Sequence, residues 1–294
     1  MGGQPAVSPD QRDPGCVMGR FSGKVVVVTG SGRPKGLGQA ILQRFADEGA
    51  ACVVSDVGEG GPGLANSADV EAVVGDLKAR GAKALFQPCD VADEAQCEAL
   101  VSAAISAFGR LDVMVNNAGI GFLMKPLLET SAADWDRVLD VNLKGAFLCS
   151  RAAARQFIAQ GPSEDGIAGR IINIASQAAK SGFPHMAPYT ASKHGMVGLT
   201  RSNAVELGKH RITVNAVCPN HVTTGLGAEQ NAYFSRLMGF ESVDAYMANM
   251  KARNPMGRPG LATDTAAACA WLASSDAVYV TGEAVNVSGG EEMH

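Results

Sequence analysis

The chain has 294 residues, 46% hydrophobic, 18% charged and 5% aromatic, with 35 glycines and a formal net charge of −4. Such a balance belongs to a globular protein and excludes a collagen-like or disordered one. The mild negative charge, without a run of five like charges, leaves no footprint for nucleic acid or anionic lipid.

Residues 1–20 carry prolines and charges where a signal peptide needs an apolar stretch, and Ala6 stands where a myristoylation signal wants Ser or Thr. They read as a flexible tail. No segment holds 18 uninterrupted apolar residues, so no membrane span is expected and the protein is expected in the cytoplasm. From Lys24 the run Val25-Val26-Val27-Val28 predicts a strand, a glycine cluster follows, and residues 37–48 predict a helix. Alternation continues with a strand at 51–55, helix 66–80, strand 83–87, helix 93–108, strand 111–115, one long helix 132–160 and strand 170–174. Then come helix 188–208, strand 211–217, an irregular and helical stretch at 220–256, helix 262–273 and a strand at 284–287. Val113-Met114-Val115 and Arg170-Ile171-Ile172-Asn173-Ile174 are short and nearly all apolar, as buried parallel strands must be. The prediction is a single α/β domain over 21–294, a doubly wound Rossmann-type domain whose seven-stranded parallel sheet is flanked by helices.

Seven cysteines without a CxxC pair, several inside apolar runs such as Ala51-Cys52-Val53-Val54, read as reduced core thiols, and no metal is expected. Thr29-Gly30 ends the first strand, and Ser31-Gly32-Arg33-Pro34-Lys35-Gly36-Leu37-Gly38 leads into the first helix. Glycines here let backbone approach a dinucleotide pyrophosphate, and the helix start offers free N–H groups and partial positive charge. Asp56 closes the second strand about 20 residues later, where a carboxylate accepts from the adenosine ribose hydroxyls and repels a 2′-phosphate. NAD is therefore favoured over NADP, with Arg33 and Lys35 pulling the other way. Taken singly, each feature also fits a plain strand-to-helix turn and a solvated strand-end carboxylate.

Asp90-Val91 after the third strand, Asn116-Asn117-Ala118-Gly119 after the fourth, Asn142 in Val141-Asn142-Leu143, Ser176 after the fifth, and Tyr189-Thr190-Ala191-Ser192-Lys193 follow in that order. With them, residues 22–290 resemble the short-chain dehydrogenase/reductase family, in particular its NAD-dependent polyol, acyloin and secondary-alcohol dehydrogenase members. Tyr189 and Lys193, four apart, share one helix face. A phenol of pKa about 10 becomes a usable acid/base beside an ammonium and a positive nicotinamide ring, and Ser176 is placed to hold the carbinol oxygen. The resemblance implies that Lys193 and Tyr189 also touch the nicotinamide ribose side of the cofactor, and that Asn142 anchors a water in a proton relay. It further implies that Asp90 and Val91 meet adenine, that Pro219, Val222 and Thr224 meet the carboxamide end, and that Gly30, Gly32, Arg33, Gly36, Leu37, Gly38, Asn117, Ala118 and Gly119 line the cofactor.

Two departures stand out. Five residues, Ser31 to Lys35, precede Gly36-Leu37-Gly38 where the family has three, leaving open which of Gly32, Arg33 and Pro34 faces the pyrophosphate. Pro219-Asn220 replaces the family's Pro-Gly, with Asn able to tolerate positive φ. The segment at 220–256 occupies the place of the family's substrate lid, and Phe234, Leu237 and Met238 recur there at helical spacing. With Gln177, Phe183, His185 and Met186, which lie between Ser176 and Tyr189, Phe234 and Met238 form the expected substrate pocket. The leading reading is NAD-dependent interconversion of a secondary alcohol and a ketone. An NADPH-dependent 3-oxoacyl thioester reductase and a non-catalytic dinucleotide-binding regulator stand behind it. The resemblance also implies a homotetramer or homodimer through helices 93–108, or 132–160 and 188–208, with Glu292, Met293 and His294 able to reach a neighbour's site.

Overall fold

Four consecutive valines open the first strand, and their branched side chains can all be buried because helices cover both faces of the sheet they enter. The structure, a computed structural model, describes residues 19–58, 60, 64–121, 123–222 and 226–293. Thr224, His294 and nearly all of the expected tail lie outside the described residues.

The chain runs β1 (Val25–Thr29), α1 (Leu37–Asp47), β2 (Ala51–Asp56), α2 (Ser67–Ala79), β3 (Ala84–Pro88), α3 (Glu94–Phe108) and β4 (Val113–Asn116). It continues through α4 (Ala132–Leu139), α5 (Gly145–Gln160), β5 (Gly169–Ile174), α6 (Ala187–Leu207), β6 (Ile212–Pro219), α7 (Leu226–Leu237), α8 (Val243–Arg253), α9 (Ala262–Ala273) and β7 (Ala284–Val287). The strands form one seven-stranded sheet in the order β3-β2-β1-β4-β5-β6-β7, and every pairing is parallel. Strand alternation divides the core. Val26, Val28, Cys52 and Val54 pack with Ile41, Leu42 and Phe45 of α1 and with Cys269 and Leu272 of α9. Val25, Val27, Val53 and Met114 face Leu100 and Val101 of α3 and Leu148 and Phe157 of α5 on the other side. Contact between layers is close at Gly169, where an alanine Cβ would land on the Phe157 ring.

The order reverses at β1, which pairs with β2 on one side and β4 on the other, and this is the switch point at which open parallel sheets form a ligand crevice. The long helix expected over 132–160 is interrupted: a π-helical turn over Asp140–Lys144 separates α4 from α5. The wide turn carries fully buried Asn142, whose Oδ1 accepts from Ile120 N (2.8 Å) and whose Nδ2 donates to Ile120 O (3.0 Å) and Ser192 Oγ (3.1 Å). Those three bonds account for the irregularity. At the other anticipated turn, Asn220 does not adopt positive φ; among the described residues only Lys35, His185 and Arg211 do so without being glycine. Asn220 instead donates through Nδ2 to Ser288 O (3.1 Å) and Glu291 Oε2 (3.0 Å), so that side-chain bonds hold the segment where the family uses glycine.

The stretch at 220–256 forms α7 and α8. Met186, Phe234 and Tyr246 make the buried centre of their contact with the rest of the chain, with Phe183, Tyr189, Phe240 and Met250 packed around it. No helix among the described residues is long and apolar enough to cross a membrane.

Candidate active site

A cavity of about 1080 Å³ opens at the C-terminal ends of the strands. At its β1–α1 side the wall is Gly30, Arg33, Pro34, Gly36, Leu37 and Gly38. Two of these glycines are sterically obligatory. Gly30 has φ +62°, and a Cβ there would sit 2.6 Å from Ala118 Cα; at Gly38 it would sit 2.7 Å from Ser31 Cα. Gly36 N-caps α1 without any side-chain cap, so the helix presents backbone donors to the cavity. The two extra residues of the loop are accommodated by Lys35 at φ 60°, whose N–H donates to Gln39 Oε1 (2.6 Å).

Gly32 is not in the wall; it sits behind it. A Cβ there would be 2.8 Å from Asp56 Cβ, and its absence lets the Gly32 N–H donate to Asp56 Oδ2 at 3.0 Å. Asp56 Oδ1 accepts from Val57 N (2.9 Å). Burial pushes the Asp56 carboxyl above the usual carboxylate range, against these backbone bonds and the nearby Arg33 charge. Asp90 and Val91 extend the same wall beyond β3.

The β4 end is fixed to the β1 end. Thr29 Oγ1 accepts from Asn117 N and Ala118 N, both at 3.1 Å, and Asn117 Nδ2 donates to Thr29 O and Gly30 O, both at 2.9 Å. Asn117 thus spends its amide on the scaffold, and Ala118 and Gly119 continue the wall. An added Cβ on Gly119 would lie 3.3 Å from Asn142 Oδ1 and 3.7 Å from Lys193 Nζ, which places these groups around one point. Asn142 itself is one layer below the cavity surface.

Ser176, just past β5, meets Tyr189 and Lys193 of α6 on one wall of the cavity. Pro188 in the first turn of α6 suits a helix N-terminus, and Tyr189 beside it lines the cavity. Burial pushes the Tyr189 phenol up, and its hydrogen bond with Ser176 pulls it down. Lys193, 4% exposed, donates to Ile174 O at 2.7 Å, and its Nζ lies 5.6 Å from the Tyr189 ring centroid. Burial lowers the Lys193 ammonium to about 8. In the bare chain it is therefore Ser176, rather than the expected lysine, that offsets the raised phenol. Pro219 and Val222 close the β6 side.

Of the expected substrate-pocket residues, Gln177, Phe183, Met186, Phe234 and Met238 line the cavity. His185 does not: its Nδ1 is bonded to Tyr233 Oη at 2.6 Å, and its backbone takes φ 63°. Tyr246, in the lid segment, also lines the cavity, as do Asn220, His221 and Glu291; His221 and Glu291 lie in no periodic or spaced motif that would mark them as wall residues. Glu292 lines the cavity of its own chain, held by Ser181 Oγ (2.8 Å) and Gln177 Nε2 (3.2 Å), contacts spanning more than a hundred positions of sequence.

The family model described as Enoyl-(Acyl carrier protein) reductase matches residues 30–292. A short-chain dehydrogenase/reductase of Armillaria gallica is 37% identical over 268 residues, covering 91% of this chain and 95% of that protein. The solved structure of an actinorhodin polyketide ketoreductase with NADPH superposes with a TM-score of 0.83 at 34% identity, covering 94% of this chain and 99% of the other. That of a xylitol dehydrogenase with NAD+ bound gives 0.82 at 30% identity, covering 92% and 99%.

Proposed function

As this chain belongs to the short-chain dehydrogenase/reductase family, whose members are oxidoreductases acting on CH–OH groups, we propose that it interconverts a secondary alcohol and a ketone with NAD. The observation that carries this reading is the meeting of Ser176, Tyr189 and Lys193 on one wall of a cavity whose other wall is a glycine cradle.

The residues fit a dinucleotide. Gly30 and Gly38 cannot bear side chains, the uncapped start of α1 supplies anion-binding donors, and Asp56 stands at the end of β2 to take ribose hydroxyls. Asp56 supports NAD, because both its oxygens are already fixed by backbone N–H groups and a 2′-phosphate would meet a carboxylate that cannot swing away. When bound, the nicotinamide accepts or delivers the hydride and, oxidised, adds a positive charge that lowers the neighbouring phenol.

Tyr189 then takes the proton from the carbinol oxygen in oxidation and returns it in reduction. Ser176 Oγ already accepts from Ala178 N (3.1 Å) and is hydrogen-bonded to the Tyr189 phenol, so a substrate oxygen entering beside Tyr189 takes over the Ser176 hydrogen. Lys193 holds the ribose and keeps positive charge near the phenol, and Ile174 O fixes its position beforehand. Asn142 acts as a positioning residue: its amide is spent on Ile120 and Ser192, so it holds the loop and helix that carry Gly119 and Lys193.

The second reading, an NADPH-dependent 3-oxoacyl thioester reductase, is favoured by Arg33 in the wall close enough to influence Asp56, and by the likeness to the ketoreductase. Self-association into a homotetramer or homodimer belongs to the same proposal, supported by exposed Phe147 and Ile158 on α5 and Val205 on α6.

The test follows NADH and NADPH absorbance with panels of secondary alcohols, polyols, diketones and 3-oxoacyl thioesters. Turnover with NAD(H) on alcohols or ketones is expected, and Tyr189→Phe is expected to lower kcat about 10²–10⁴-fold while NADH still binds. Full turnover by that variant would sink the mechanism; activity confined to NADPH and thioesters would establish the second reading.

A further inference from the structure

Beyond Ser176 the wall is supplied by the segment after β7, which carries Glu291 and Glu292 into the cavity. Both bonds to the Glu292 carboxylate reach Oε2, one of them from Gln177, the residue next to Ser176; Oε1 accepts from no described residue. Glu291 Oε2 takes the Asn220 amide at 3.0 Å, and the Arg253 guanidinium stands 3.8 Å from Oε1 with its side chain 61% exposed to solvent. Of the two carboxylates only Glu291 has a cation beside it among the described residues, and that cation is well solvated. Asn220, itself a wall residue and 6% exposed, has both amide bonds directed to Ser288 O and Glu291, while its buried Oδ1 has no partner. Met186, Phe234 and Tyr246 give the cavity an apolar cover. This end is therefore an apolar slot in which Glu292 Oε1 is a carboxylate oxygen without a protein donor among the described residues. A ligand gains there by bringing donors and loses by bringing a second anion.

We propose that Glu292 determines the substrate class: alcohols and ketones bearing a second hydrogen-bond donor, hydroxyl or ammonium, are accepted, and anionic ones are rejected. This rests on the oxidoreductase reading above and narrows it. A hydroxyl or ammonium that displaces solvent from Glu292 Oε1 leaves that oxygen paired. A carboxylate or a phosphorylated carrier is repelled, and the apolar cover keeps water from screening the repulsion.

Three cyclohexanols differing only in the para substituent, hydroxymethyl, aminomethyl or carboxylate, separate the possibilities. For the wild type, kcat/KM is expected to be at least about tenfold lower for the carboxylate than for the other two. In Glu292→Gln, the carboxylate-to-hydroxymethyl ratio is expected to rise about tenfold and the aminomethyl-to-hydroxymethyl ratio to fall. A merely structural role would scale all three alike and leave the ratios unmoved. Equal kcat/KM in the wild type, or unchanged ratios in the variant, overturns the proposal. If none of the three is turned over with either cofactor, the oxidoreductase reading for such alcohols fails separately. Substrate selection is then read from saturation-transfer NMR of the same three compounds with NADH present: the same order sustains it, and no order overturns it.

Discussion

Replacing Lys193 by methionine removes a cation that the fold buries at a cost, and the cost can be read as a dependence of stability on pH. The unfolded chain keeps the amine at its ordinary value of 10.5, whereas burial in the folded chain lowers it to about 8. Below about 8 both states carry the charge, and the folded state bears the full penalty. Between there and 10.5 the folded state has released its proton while the unfolded state has not, so stability rises with pH across that window. At about 1.4 kcal/mol per pH unit the whole interval amounts to about 3 kcal/mol. Methionine also removes the bond to Ile174 O, but that loss does not depend on pH. Urea unfolding of both proteins at about pH 7 and about pH 10 therefore isolates the ionisation. The wild type is expected to gain about 2 kcal/mol relative to Lys193→Met over that span, the remaining titrating groups being common to both. Parallel pH profiles would show that Lys193 does not change ionisation in this range and would refute the reasoning. The variant is also expected to lose turnover.

Gly169→Ala is expected to destabilise by about 2–3 kcal/mol, because the new Cβ meets the Phe157 ring and Phe157 is fully buried. Gly182→Ala, with nothing within 4 Å of its Cβ and no positive φ, should stay within about 0.5 kcal/mol in the same unfolding assay. Asp56→Ser should raise kcat/KM for NADPH relative to NADH by about tenfold, since the fixed carboxylate no longer opposes a 2′-phosphate. An unchanged cofactor ratio would shift the origin of the preference to Arg33 and its surroundings.

The strands and most helices were legible because their apolar runs are short, dense and buried on both faces, a pattern that survives without knowledge of neighbours. Ser176, Tyr189 and Lys193 were legible by spacing and strand context. The interruption at Asn142 was not, because α4 and α5 each carry ordinary helical sequence and the widened turn depends on a partner, Ile120, contributed by another loop. His185 lies in the right stretch of chain, but a positive φ and a bond to Tyr233 take its ring out of the wall. Glu291 was unreadable as a wall residue, and Glu292 was expected at a neighbour's site rather than in its own cavity, for a related reason: their partners Asn220, Gln177 and Ser181 are joined to them only by the closing of the sheet.

The bonds between Thr29 and Asn117 join residues 88 apart in sequence and lie across the seam between the two halves of the sheet. β1 pairs with β2 along one edge and with β4 along the other, so separating the halves at this seam opens one ladder edge of β1. A half-assembled chain then holds the glycine turn and Asp56 but lacks the floor made by Ala118 and Gly119 and the whole opposite wall. Ligand affinity consequently requires both halves to be docked. A ligand that spans the seam favours only the fully docked form, so its concentration should slow separation of the halves and raise the midpoint of unfolding together with occupancy.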